Sequence, residues 1–181
     1  MEKRKKGFTL IELVVVIAII GVLAAILVPV LMGYVRKSRV AAANDNAKQN
    51  FNTALEAAAA CGAESTGYLA ESRKSISSRK SELEAKLSSC SDEALKGYYQ
   101  EMIGHLSNDD KGYYGGLYVG NVPVAMVWSS GSGDGAVLGR YPDTLHTDDT
   151  YTWSDWETDC AQFQSGGYTS WQDYMTAQVG G

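Results

Sequence analysis

Basic side chains almost disappear from the carboxyl-terminal part of this chain: from Gly112 onward Arg140 is the only one. Nucleic-acid binding depends on Lys and Arg displacing counterions from phosphates, so no direct contact with DNA or RNA is expected of this acidic segment. Histidine is equally scarce. His105 and His146 lack metal-ligand spacing. A triad can be drawn around His146 with Asp143 and a serine, but no second feature supports it. The chain is therefore taken as a non-enzyme that carries no cofactor. Acids do cluster late, at Asp143, Asp148, Asp149, Asp155, Glu157 and Asp159, yet the Asp-x-Asp-x-Asp-Gly loop of a calcium site is missing. They read as a solvated surface, with Asp148, Asp149, Asp155 and Asp159 as weak metal candidates. Cysteine is sparse and odd in number: Cys61, Cys90 and Cys160. One disulfide among three pairings, or three free thiols in a reducing habitat, both fit.

Charge is also missing between Leu13 and Met32. A run of about 20 uncharged residues crosses a ~30 Å hydrocarbon core at 1.5 Å per residue. It is longer than a secretory h-region, no small-x-small cleavage site follows it, and it continues directly into a helical pattern, all of which disfavour an ordinary signal peptide. The basic leader, Lys3, Arg4, Lys5 and Lys6, orients the amino terminus inward. Arg36, Lys37 and Arg39 lie just past the far end and weaken that bias. Glu12 stands at the edge of the apolar run, where a carboxylate costs on the order of 2–3 kcal/mol at membrane depth and less where it can snorkel. Within the run Gly21 permits close helix approach, and Pro29 removes a backbone donor, so a kink or loosening is expected there.

Residues 1–12 spell Met-Glu-Lys-Arg-Lys-Lys-Gly-Phe-Thr-Leu-Ile-Glu. A short basic leader, a glycine, then Phe-Thr-Leu-Ile-Glu and a long apolar run resembles the amino-terminal signal of type IV prepilins and pseudopilins, over roughly residues 1–60. The resemblance implies cleavage between Gly7 and Phe8 by a membrane-embedded prepilin peptidase, and N-methylation of Phe8. It also implies that Glu12, one turn on from Phe8, pairs with the freed amine of a neighbouring subunit. Such a pair selects register more than it adds stability, because desolvation offsets its attraction. Removing residues 1–7 takes away a net charge of +3, so the formal −5 becomes −8.

The implied fold is α+β and pilin-like. Residues 1–7 are a cleaved leader, 8–32 the membrane-spanning and polymerising half of a spine helix, and 33–60 its amphipathic half. Val40, Ala43, Ala47, Phe51, Ala54, Leu55 and Ala58 mark one face of that second half. Residues 61–111 carry helix rather than strand signals and read as a helical insertion. Ser81 and Glu84 suggest a capping box ahead of Leu83 and Leu87, a second helix covers about Ser91 to His105, and the basic Ser72–Ser81 stretch is a solvated face or loop. Residues 112–181 form a small antiparallel sheet with strands at Tyr113–Gly120, Val122–Ser130 and Ala136–Tyr141, a less secure strand near Thr150–Trp153, and an irregular cover over the last thirty residues.

The function implied is that of a structural subunit of an extracellular type IV pilus-like filament. The precursor is a single-pass protein of the cytoplasmic membrane and the product is a surface filament. Expected partners are identical or related pilin subunits, prepilin peptidase, an inner-membrane assembly platform, and membrane lipid before assembly. A pseudopilin of a type II secretion or competence system is the alternative, and a membrane-anchored surface protein that never polymerises is the second.

Overall fold

The computed structural model describes residues 8–61, 67–106, 111–133, 135–142 and 150–179, without the side chains of Cys61, Ser72 and Val179. The chain divides into two units, residues 1–38 and 39–181. A single helix, α1 (Leu10–Cys61), begins in the first and ends in the second.

In the first unit α1 is built of Leu, Ile, Val and Ala, and every described residue up to Ser38 is exposed. Its large apolar side chains from Leu10 to Val35 stand between 46% and 81% accessible. The helix continues without a break through Pro29. The missing proline N–H costs one ladder bond, and the bonds on either side keep the helix in register.

In the second unit α1 buries a stripe of small residues, Ala43, Ala47, Ala54, Ala57 and Ala58. Alanine favours helix and lets other backbone approach closely. After α1 come β1 (Tyr68–Ser75), α2 (Ile76–Ser89), α3 (Glu93–Gly104), β2 (Tyr113–Val119), β3 (Val122–Ser129), β4 (Leu138–Tyr141), α4 (Trp153–Ser165) and α5 (Trp171–Val179). The sheet is an antiparallel meander in the order β1-β2-β3-β4.

Both faces of the sheet are covered, which explains the unbroken buried run along β2 from Tyr114 to Tyr118. Alternate residues point to opposite faces of a strand. Leu117, Ala125, Val127 and Leu138 pack with Trp153, Trp156, Cys160 and Phe163 of α4 and Trp171, Tyr174 and Met175 of α5. Tyr118 and Met126 pack instead with Ala54, Ala57 and Ala58 of α1, Leu83 of α2 and Tyr98 and Met102 of α3.

Three expectations are corrected. The segment read as a helical insertion contains strand β1. Its Leu69, Ala70, Glu71, Arg73 and Lys74 have no strand preference of their own, and pairing with β2 overrides them. The cap of α2 is Ser75, whose Oγ accepts from the Ser78 N–H at 3.1 Å, while Ser81 lies inside the helix and donates to the Ser77 carbonyl. At the carboxyl end, Thr152 caps α4 through a capping box with Asp155, so neither the strand near Thr150–Trp153 nor the irregular cover is present; two helices take their place.

Gly139 sets the distance between sheet and spine. A Cβ built there would lie 2.0 Å from the Ala43 carbonyl carbon and 2.2 Å from the Asn44 nitrogen. Next to it the Arg140 N–H donates to Asn44 Oδ1 at 2.9 Å, joining β4 to α1 across the strand edge.

Candidate functional site: the amino-terminal end of the spine

Phe8 and Thr9 precede α1, and Phe8 is 85% exposed. The Thr9 carbonyl accepts the first helical bond, from the Leu13 N–H at 3.3 Å. Around it a reciprocal capping arrangement closes. The Thr9 N–H donates to Glu12 Oε2 at 2.8 Å, Thr9 Oγ1 donates to the same oxygen at 2.7 Å, and the Glu12 N–H donates to Thr9 Oγ1 at 3.3 Å. Two orphan donors of the helix end are satisfied, and a negative charge is placed at the positive end of the helix dipole. The carboxylate is thus already bound within its own chain through one oxygen. This box was legible in the sequence as Thr-x-x-Glu ahead of an apolar run, and a reading of Glu12 as a docking group alone passes over it.

A Cβ on Gly21 would meet nothing within 4 Å, so no packing within the chain requires a glycine there. Gly7 and the rest of the leader lie outside the described residues.

The remaining candidates do not converge on one place. Cys90 is a half-buried free thiol and Cys160 a buried one, and the Cys61 side chain lies outside the described residues. Burial pushes the Cys160 thiol up to about 12, with the nearby Asp159 and Glu157 charges adding to the effect, which leaves it inert at neutral pH. Asp155 is engaged in the α4 capping box. Asp159 accepts from the hydroxyls of Tyr151 and Tyr174 and so ties the chain before α4 to α5. Asp143, His146, Asp148 and Asp149 lie outside the described residues, and among the described residues no cluster of His, Cys, Asp and Glu is placed to hold a metal. His105 pairs with Glu101 one helical turn away.

The basic Ser72–Ser81 stretch is not uniformly solvated. Arg79 is only 4% exposed. Its Nη2 donates to the Tyr118 hydroxyl at 3.1 Å and its guanidinium lies 4.1 Å from the centre of the Tyr114 ring. The Tyr114 hydroxyl in turn donates to Glu71 at 3.1 Å. Burial raises both tyrosines well above the usual phenol range, with the Arg79 charge opposing it. This buried chain of contacts joins α2 to β1 and β2.

The family model for the prokaryotic N-terminal methylation motif matches residues 3–28. A type IV major fimbrial protein of Dichelobacter nodosus is 46% identical over 56 residues, 31% of this chain and 35% of that protein. A type II secretion system core protein G of Dickeya chrysanthemi is 58% identical over 38 residues, 21% of this chain and 25% of that one. A type IV major alpha-pilin of Moraxella bovis is 63% identical over 35 residues, covering 19% and 22%. The matched stretch thus spans about a third or less of these curated relatives. No solved structure matches the chain.

Proposed function

We propose, from the premise that its amino-terminal segment is of the type IV pilin family, that this chain is a structural subunit of an extracellular filament. It is made as a membrane-held precursor with its amino terminus in the cytoplasm. Prepilin peptidase cuts it between Gly7 and Phe8 and methylates Phe8, and an inner-membrane platform draws it into the filament. The observation that carries this reading is Glu12, a carboxylate held in the first turn of a helix whose large apolar side chains from Leu10 to Val35 are all exposed. An exposed apolar rod needs lipid or other rods around it, and the freed amine of a neighbouring Phe8 supplies the counter-charge for Glu12. Gly21 allows the rods to approach, and Pro29 is where the helix loosens on assembly. Identical subunits associating head to tail give an open helix.

The test is mass spectrometry of protein sheared from cells. N-methyl-Phe8 as first residue is expected, and an intact Met1 reduces the chain to a tether. The likeness to a type II secretion core protein favours a pseudopilin as second reading. Deleting the gene separates the two: a pilin's loss removes surface filaments, whereas a pseudopilin's loss blocks secretion.

A further inference from the structure

The second half of α1 carries a polar face beside its buried alanine stripe. Asn46, Gln49, Asn50 and Thr53 recur at the steps of three and four that place side chains on one side of a helix. With Trp128 of β3 they line a cleft of about 90 Å³ whose apolar part is Ile76, Met102 and Leu106, and Arg79, His105 and Lys111 complete its described lining. Asn46 and Trp128 also border a second cavity of about 370 Å³, with Ala42, Ser130 and Val137, a volume within the roughly 300–1,000 Å³ of ligand clefts. All of these residues lie in the second unit. Among the described residues the Asn46, Gln49 and Thr53 side chains take part in no hydrogen bond. Asn50 spends one amide proton, on the Asn46 carbonyl at 3.0 Å. None of the four is buried, and Trp128 is half-buried. Its indole is held by the backbone of Gly112, where a Cβ would fall 2.7 Å from Cε2 and Cζ2 of the ring.

We propose that this cleft binds a neutral saccharide, with Trp128 as the platform for a sugar ring and the polar side chains of α1 as partners of its hydroxyl groups. A sugar ring has an apolar C–H face and a rim of hydroxyls that both donate and accept. The electron-rich face of an indole attracts the first. Asn and Gln match the second, because each side chain offers a carbonyl acceptor and an NH2 donor. A purely aliphatic ligand would strip water from these groups and return no hydrogen bond, which disfavours it. Recognition by hydrogen bonds and ring contact requires no unmatched charge in the chain. The site goes beyond the filament reading and depends on neither leader cleavage nor assembly.

The test is saturation-transfer NMR of maltotriose, cellotriose and tri-N-acetylchitotriose with the full chain, held in a detergent whose headgroup is not a sugar. Transfer to the ring protons of at least one trisaccharide is expected. In the Gln49→Ala, Asn50→Ala, Thr53→Val variant its affinity should fall about tenfold or more, as the loss of two or more hydrogen bonds requires. Trp128→Leu should abolish it, and Asn52→Ala, exposed on α1 outside the cleft, should leave it unchanged. Near-UV circular dichroism of the tryptophans verifies that each variant is folded. Should Trp128→Leu fail to fold, the α1 variant decides alone, since none of its three positions is buried. The proposal is overturned if none of the three sugars shows transfer, or if the α1 variant binds as tightly as the parent. It is equally overturned if blocked trialanine binds with the same dependence on these residues, since the cleft would then read peptide. Neither readout involves the first residue or filaments, so this failure is distinct from failure of the filament reading.

Discussion

Gly139→Ala is the substitution for which the structure makes the sharpest demand. The added methyl carbon would start 2.0 to 2.3 Å from backbone atoms of Ala43 and Asn44. Carbon contacts are optimal near 3.5–4.0 Å, so strand and helix must part by roughly 1 Å or more. Neither side can yield by turning a side chain, because the obstacle is main chain on both. Overpacking of this kind costs about 1–3 kcal/mol. Separation also strains the Arg140 N–H to Asn44 bond of 2.9 Å, worth about another 1 kcal/mol. The expected loss is about 2–4 kcal/mol, a large part of the 5–15 kcal/mol typical of a domain. Urea denaturation of the full chain in mild detergent, followed through the tryptophan near-UV signal, measures it. Gly104→Ala is the control: nothing lies within 4 Å of its Cβ, so it should be neutral or slightly stabilising. If Gly139→Ala unfolds within about 0.5 kcal/mol of the parent, β4 does not lie against the spine as described.

Glu12→Ala should leave leader cleavage largely intact while surface filaments fail to form; normal filaments in that variant would remove the docking role. Arg79→Met takes a charged donor from the buried Tyr118 hydroxyl and should cost about 2–3 kcal/mol in the same denaturation assay. Arg79→Lys should recover little of it, since an ammonium cannot lie flat over Tyr114 while reaching Tyr118. In a Cys61→Ser background a thiol reagent at pH 8 should label Cys90 in the native protein and Cys160 only after unfolding. Because the Cys160 thiol rises from an ordinary value of 9.0 to about 12 in the fold, the unfolded chain ionises first. Its contribution to stability is full below about pH 9 and is lost as the pH climbs towards about 12, which alkaline denaturation curves should register.

The spine and the hairpin strands were legible because their signals are local. Twenty uncharged residues can do little but form a membrane-length helix, and Tyr113–Val119 and Val122–Ser129 are runs rich in aromatic residues and valine bounded by turn residues, as strands are. β1 was illegible for the opposite reason: Tyr-Leu-Ala-Glu-Ser-Arg-Lys-Ser becomes a strand only because β2 offers it an edge. The terminal helices were missed although Trp153, Trp156, Cys160 and Phe163 recur at helical spacing, with Thr-x-x-Asp capping them. Glycine and aromatic richness drew attention away from that period. Once α4 and α5 cover the second face, the small β-branched content of this sheet is less surprising, since large rings from the helices fill the layer that branched strand residues would otherwise supply.

If Glu12 docks a neighbour's amine, as proposed above, the capping box alters what that docking must accomplish. A bare carboxylate in the spine would make pairing with a neighbour's amine the relief of an unmet charge, and almost any amine in reach would be captured. With Thr9 already donating twice to Oε2, the isolated subunit carries no such urgent deficit. An incoming amine must either take the other carboxylate oxygen or displace the Thr9 hydroxyl. The net gain is then the difference between two charge-assisted arrangements, about 1–2 kcal/mol rather than the full attraction of an ion pair. A difference that small cannot hold a filament together, but it can distinguish a neighbour in register from one a helical turn out of place. Under the proposed filament reading, cohesion would therefore fall to the exposed apolar side chains from Leu10 to Val35, and Glu12 would decide where along them the next copy stops.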